Sequence, residues 1–274
     1  MEGISCITNV YKNDVEEYLT EAITSILTQT LKPKEIIIVR DGIVGDKMEN
    51  ILVEYEHEYD FIKIIRLEKN VGLGIGRQIA VNACQCDIVA TMDSDDISVS
   101  NRFELQYQYL KTHPEIDIVG GYISEFDNKT KKVIGLRKVP LTNSEIIEYN
   151  NSRCPMNHVT VMMRKDAVLK AGNYQHLLYN EDYYLWCRMI QAGCAFANLP
   201  EILVNVRSGL EQFERRGGRK YFDSEKEIQK WLFKNKRISY LKMKKNILIR
   251  FIVQILLPNS VRGFLFKNIF HKNR

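Results

Sequence analysis

The chain has 274 residues, 45% of them apolar, enough to bury a sizeable core in one or two domains. Its six cysteines show no paired C-x-x-C spacing, which argues against a zinc site and fits a reducing compartment. Without a basic leader or a run of about 20 apolar residues, neither a signal peptide nor a spanning helix is expected. The formal charge of +5 is unevenly placed. Ile228 to Arg274 hold 12 Lys or Arg and no Asp or Glu; taking those 12 from 39 leaves an acidic body of 27 basic against 34 acidic residues. Such asymmetry points the tail at an anionic surface, membrane or nucleic acid.

Ile4 to Val10 reads as a first strand, closed by a polar turn at Tyr11, Asn13 and Asp14. Glu16 to Thr30 places Leu19, Ile23, Ile26 and Leu27 at helical spacing, and Pro33 stops it. Glu35 to Arg40 is a continuous apolar strand turned by Asp41-Gly42; a helix over 46–59 and a strand from Ile62 to Leu67 follow. Gly72 to Ala83 reads as a helix entered through a glycine-rich turn. The Gly72-Leu-Gly74-Ile-Gly76-Arg77 pattern is a poor dinucleotide fingerprint, because it follows the third strand and lacks the third glycine spacing. Close backbone approach at a helix N-terminus, with Arg77 available for a phosphate, is the better reading; an exposed helix arginine is the plain alternative. Strands alternating with helices predict a parallel α/β sheet. After Pro114, Ile116 to Phe126 and Lys132 to Val139 predict a hairpin, hence a mixed sheet in the second half. A short strand from Val161 to Met163, a helix opening at Asn180-Glu181-Asp182, a strand from Pro200 to Val206 and a basic segment from Arg215 to Lys220 complete the body.

The chemistry concentrates where the strand Ile88 to Met92 runs into Asp93-Ser94-Asp95-Asp96. Neighbouring carboxylates raise one another's pKa, and a cation or a set of donors between them relieves the repulsion. Oxygen ligands suit Mg²⁺ or Mn²⁺, which commonly pair one or two carboxylates with substrate phosphates. Ligands of open α/β sheets bind outside the carboxyl ends of the strands, where this cluster falls. A solvated turn capping the helix after Ile97 is the plain alternative. Glu181 and Asp182 are explained equally by the helix dipole and by a general base for a hydroxyl.

Taken in order, the Val10-Tyr11 strand end, Asp41-Gly42, Asn70-Val-Gly72 with Arg77, Asp93-Ser94-Asp95-Asp96 followed by Asn101-Arg102-Phe103, Asn157-His158-Val-Thr160 and Glu181-Asp182-Tyr183 resemble a family 2 glycosyltransferase of the GT-A fold. The likeness is to bacterial enzymes of capsule, exopolysaccharide or O-antigen synthesis. It implies a Rossmann-like, mainly parallel central sheet flanked by helices. The organisation expected is a glycosyltransferase domain over 1–220 and a helical basic extension over 221–274. It further implies that Val10, Tyr11 and Asp41 hold the nucleotide base, Asp41 accepting from a uracil N–H. Arg77 would meet the nucleotide side of the donor, Asp93 the ribose with Ser94 beside it, and Asp95 would ligate Mn²⁺ or Mg²⁺ on the diphosphate. Asp182 would be the base, Glu181 would orient it, and Arg207 would steady the leaving diphosphate. Asn157 and His158 would lie on the acceptor side. The sequence departs from the resemblance at Gly76-Arg77-Gln78, where Ala-Arg-Asn is common, and it carries no Q-x-x-R-W motif, which favours single-sugar transfer.

The activity implied is inverting transfer of a hexose from a UDP-sugar to a hydroxyl of an oligosaccharide, polyprenyl-linked. A sugar-phosphate nucleotidyltransferase would instead release pyrophosphate, and a non-catalytic membrane scaffold would bind no nucleotide with metal. In the tail, Asn246 to Leu257 is too short to span a bilayer, and Lys242, Lys244, Lys245 and Arg250 flank or interrupt it; the apolar and basic mixture continues through Phe264, Phe266 and Lys267. Basic amphipathic helices of this kind lie at membrane interfaces. The expected location is therefore cytoplasmic, peripheral at the inner face of the membrane. Nucleic acid is not expected, since no recognised module is present.

Overall fold

A computed structural model describes residues 1–208 and 217–257. In chain order the elements are β1 Ile4–Val10, α1 Glu16–Leu27, β2 Glu35–Arg40, α2 Asp46–Glu58, β3 Ile62–Arg66, α3 Leu73–Ala83, β4 Ile88–Thr91, β5 Ile97–Ser98, α4 Arg102–Thr112, β6 Ile118–Asp127, β7 Val133–Arg137, α5 Asn143–Asn150, β8 Met162–Arg164, α6 Lys165–Lys170, α7 Glu181–Gln191, β9 Phe196–Ser208, α8 Arg219–Lys234 and α9 Tyr240–Phe251. A 3₁₀ turn, His158–Thr160, precedes β8, and a π-helical turn, Ile252–Leu256, prolongs α9.

One sheet carries all nine strands in the order β3-β2-β1-β4-β8-β6-β9-β5, with β7 on the flank of β6. The first half, β3-β2-β1-β4, is parallel throughout. In the second half β8 runs antiparallel to both β4 and β6, β7 runs antiparallel to β6, and β6 and β9 are parallel. The expected mainly parallel sheet with a mixed second half is what forms.

The pleat explains why β2 and β4 carry unbroken apolar runs and why β1, with Ser5, Thr8 and Asn9 among its apolar residues, is buried almost throughout. Successive side chains point to opposite faces, and both faces are covered by helices. Ile4, Cys6, Val10, Ile36, Ile38, Ile88 and Ala90 pack with Leu19, Ile23 and Ile26 of α1 and Met48 and Leu52 of α2. Ile7, Ile37, Val39 and Val89 pack on the other face with Ala80 and Val81 of α3 and Leu185 and Trp186 of α7. Asp93 stays in phase with Val89, so it faces the layer formed by α3 and α7. Two glycines permit the close approaches this layer needs. A Cβ on Gly76 would come within 2.0 Å of the Asn9 amide nitrogen, and Gly42, at φ +85°, sits against the backbone of Asn70.

Several boundaries differ from expectation. α1 ends at Leu27 rather than Thr30. Ile97 and Ser98 form a short strand against β9, so the following helix begins only at Arg102. β9 starts at Phe196, four residues earlier than Pro200, because pairing with β6 draws it in. The segment beyond residue 220 is, over its described part, α8, α9 and the π-helical turn. Ile228, Leu232, Ile238 and Met243 pack onto Tyr183 and Cys187 of α7. Arg215, Arg216 and everything from Pro258 onward lie outside the described residues. Five of the six free cysteines are buried and Cys154 is half-buried.

Candidate functional site

The site forms at the carboxyl ends of β1, β2 and β4. Val10 is fully buried, and its carbonyl accepts from the Asp41 N–H at 2.7 Å; Tyr11, one residue on, is exposed. Asp41 is 5% exposed, and both its carboxylate oxygens are engaged. Oδ1 accepts from Val71 N at 2.6 Å, and Oδ2 accepts from Gly72 N at 3.0 Å and Asn70 Nδ2 at 3.1 Å. The negative charge at the entrance to α3 is thus the protein's own, so Asp41 shapes the turn that leads to Arg77. Oδ1, with one donor, keeps a second lone pair for a further one.

Past β4 the chain crowds four carboxylates. Ser94 Oγ donates to Asp14 Oδ2 at 2.8 Å, and Tyr11 N donates to the same oxygen at 3.2 Å. Burial pushes the Asp14 carboxyl up to about 6, and the charges of Asp95 and Asp93 add to the rise. Asp96 is 3% exposed and accepts from Arg207 N at 2.8 Å; burial, then Asp95 and Asp93, push it well above the ordinary range. Asp14 has no counterpart among the residues the sequence singled out; only its place in the turn after β1 could have marked it. The donor set is all oxygen and mutually repelling, which suits a hard divalent cation completed by phosphate oxygens. Among the described residues no group of three or more His, Cys, Asp or Glu is placed to hold a metal ion by itself.

Arg77 joins this corner to α7. Its Nη2 meets Asp93 Oδ1 at 2.8 Å and its Nη1 meets Glu181 Oε1 at 3.4 Å, with only 8% of the arginine side chain exposed. The sequence left Arg77 open for a phosphate; the structure gives it two carboxylates, 16 residues later and 104 residues later. Its guanidinium also lies 6.0 Å from the Tyr174 ring centroid. Glu181 and Asp182, in the first turn of α7, are both pushed upward by burial, against the opposing pull of Arg77. Asp182 Oδ1 accepts from Tyr183 N at 2.6 Å, and its Oδ2 lies 3.8 Å from Cys154 Sγ. Arg137, at the end of β7, also acts on Asp182 and, like Arg77, favours its charged form.

Three of the singled-out residues are engaged in holding the framework. Arg207 is 6% exposed; its Nε donates to the Asp95 carbonyl at 2.9 Å, and its two terminal nitrogens donate to Asn128 and Glu21. Stacked 3.9 Å from the Tyr18 ring centroid, it fixes the backbone of the carboxylate loop from behind. Asn157 is 2% exposed and donates to the Gly121 carbonyl at 2.8 Å. His158 bonds Tyr174 Oη at 2.8 Å and packs beside Trp186; burial holds its imidazole well below the ordinary pKa, hence neutral.

Residues 5–177 match the family model described as glycosyl transferase family 2. The amylovoran biosynthesis glycosyltransferase AmsE of Erwinia amylovora is 35% identical, over 96% of this chain and 97% of its own. The UDP-Gal:alpha-D-GlcNAc-diphosphoundecaprenol beta-1,3-galactosyltransferase of Escherichia coli is 36% identical, over 98% and 96% respectively. Among solved structures, S. aureus TarS 1-349 superposes with a TM-score of 0.66 at 18% identity, covering 97% of this chain and 74% of that one. The same fragment in complex with UDP-GlcNAc gives 0.62 at 18% identity. At that identity the likeness is one of fold.

Proposed function

The chain belongs to glycosyl transferase family 2, and from that premise we propose that it moves a hexose from a UDP-sugar to a hydroxyl of a lipid-linked oligosaccharide, with inversion, in bacterial surface polysaccharide synthesis. The observation that carries the reading is the Arg77 bridge. One buried guanidinium holds Asp93, at the diphosphate corner, and Glu181, beside the candidate base, in a fixed relation. The donor chemistry is supported by the UDP-GlcNAc complex of the TarS fragment and by the UDP-Gal in the Escherichia coli relative's name. The same name supports a lipid diphosphate acceptor.

In this reading the acceptor oxygen attacks the anomeric carbon from the side of α7. Asp182 takes the hydroxyl proton as the C–O bond forms. The bond from the anomeric carbon to the diphosphate breaks, and its electron pair leaves on the β-phosphate. Burial raises the Asp182 pKa, which makes its carboxylate a stronger base, while its bond from Tyr183 N keeps one oxygen fixed. Asp95, with Asp93 and Asp14 beside it, would hold Mn²⁺ or Mg²⁺, which offsets charge on the departing diphosphate. Arg207 keeps that loop in shape through the Asp95 carbonyl.

The seat we propose is the inner face of the cell membrane. Leu241, Leu248 and Leu256, on α9 and its π-helical turn, are 78%, 59% and 60% exposed, and Lys242, Lys244 and Lys245 lie among them. No described helix is long and apolar enough to cross a membrane. Sedimentation with anionic vesicles tests the seat: a Leu241→Ser/Leu248→Ser variant should stay in the supernatant, and unchanged co-sedimentation would reject it. Titration calorimetry with UDP tests the donor site. Binding should require Mn²⁺ and weaken in Asp95→Ala, whereas metal-independent binding unaffected by that change would exclude the assignment of Asp95.

A further inference from the structure

Beside the α7 end of the site, the chain between α5 and the 3₁₀ turn lies against α9 and leaves a cleft of ≈ 570 Å³. Its polar lining includes Arg153, Lys242, Lys245 and Arg250, and its rim includes Leu241 and Ile249. The floor is built. Arg250 Nη2 donates to the Ser152 carbonyl at 2.8 Å, its Nε lies 3.3 Å from Glu225 Oε2, and Asn246 Nδ2 donates to the Asn151 carbonyl at 3.0 Å. Glu225 ion-pairs with Arg250 at the base of this group. Lys242 and Lys245 have no acidic partner among the described residues. Several cations in one cleft repel one another unless an anion sits among them.

The cleft is joined to the candidate base by a single residue step. Arg153 lines it, and Cys154, the next residue, places its thiol 3.8 Å from Asp182 Oδ2. The cleft therefore combines the cations Arg153, Lys242 and Lys245 with the exposed apolar side chains of Leu241 and Ile249. A sugar attached to a lipid diphosphate pairs the same chemistries: a reacting hydroxyl on the hexose, two phosphates for the cations and a hydrocarbon chain for the apolar side chains. A bilayer headgroup has phosphate and chain but no reason to begin beside a base.

Resting on the transfer to a lipid-linked acceptor proposed above, we infer that this cleft binds the diphosphate of the acceptor, with Lys242 and Lys245 as its phosphate contacts and Leu241 and Ile249 flanking the first part of the lipid. Acceptor choice is then set in part by the phosphates, and a neutral glycoside of the same sugar is a poor substrate.

The test uses the full chain and geranyl diphosphate, with excess UDP present to fill the donor site. Wild type should bind the probe, and Lys242→Gln/Lys245→Gln should bind it at least ~10-fold more weakly, as the loss of charge-assisted contacts gives. UDP binding should be the same in both proteins. In transfer assays with a water-soluble acceptor bearing a short-chain diphosphate, the double variant should raise KM by ~10-fold and leave kcat unchanged, while a neutral-glycoside acceptor should show no difference between the two proteins. Equal probe binding by wild type and variant overturns the inference. So does an unchanged KM accompanied by loss of binding to anionic vesicles, which makes the cleft a bilayer contact. Lysine-dependent probe binding without transfer to any acceptor upholds the cleft as a lipid-diphosphate site and refutes the glycosyl-transfer reading separately.

Discussion

Replacing Asp14 by Asn should stabilise the protein at neutral pH, contrary to what removing a site carboxylate usually does. The Asp14 carboxyl titrates at about 6 instead of the ordinary 3.8, chiefly through burial, with Asp95 and Asp93 adding to it. Ionising it inside the fold therefore costs about 3 kcal/mol above pH 7 relative to the unfolded chain. Asparagine keeps an acceptor oxygen for Ser94 Oγ and Tyr11 N, the two donors now bonded to Asp14, so most local hydrogen bonding survives. Allowing for solvent near the half-buried carboxyl and imperfect refitting of the amide, the net gain is about 1–2 kcal/mol, or ~2–8 °C in Tm for a chain of this size. The pH dependence fixes the sign. Because the folded state holds the Asp14 proton more tightly than the unfolded chain, the stability it contributes is full below about pH 4 and is lost as pH rises through about 6. Urea denaturation of both proteins from pH 4.5 to 8 should show Asp14→Asn losing part of that decline, in the absence of divalent metal. Added Mn²⁺ should reverse the order, stabilising wild type by RT ln(1 + [L]/Kd) and the variant less. A variant less stable than wild type at pH 8 without metal, or one with an identical pH slope, refutes the reasoning.

Arg77→Gln should lower stability by about 2–3 kcal/mol at pH 8, below the range for breaking a fully buried pair because Asp93 is 37% exposed and Glu181 can take up a proton. Denaturation curves should show a smaller loss at pH 5, and an equal loss at both pH values would mean that Glu181 is not the stranded charge. Arg137→Gln removes a positive charge that holds Asp182 down against burial, so the acid limb of kcat/KM should move to higher pH. The variant should lose more activity at pH 6 than at pH 8; an unmoved limb would assign the base elsewhere.

The sheet was readable because β1, β2 and β4 are buried on both faces and are therefore rich in apolar residues, continuously so in β2 and at Ile88 to Ala90, with turns signalled by Asp41-Gly42 and Asp93-Ser94. The carboxylate corner was visible as a local cluster for the same reason: its members are neighbours in sequence. What the sequence could not show was the partner of each side chain. Asp14 looked like a turn residue, since its burial depends on Ser94, 80 positions away. Arg207 is expected from the resemblance to steady a diphosphate, and the fold adds partners the sequence does not show: Glu21, 186 positions earlier, takes one of its terminal nitrogens and Asn128 the other. His158 was open to an acceptor role, but Tyr174 and Trp186 enclose its ring, and neither lies near it in the chain. The tail showed its mixture of basic and apolar residues; the division into a face packed on Tyr183 and Cys187 and a face left to solvent appears only once α8 and α9 are folded against α7.

The central claim is that Asp182 deprotonates an acceptor hydroxyl while the separate carboxylate corner holds the donor. The most direct measurement is transfer of a radiolabelled hexose from a UDP-sugar to a lipid-diphosphate sugar by wild type and Asp182→Asn, with UDP binding measured on the same samples. The account predicts unchanged metal-dependent UDP binding and a rate reduced by at least ~10²-fold. Transfer surviving in Asp182→Asn at close to the wild-type rate would contradict it.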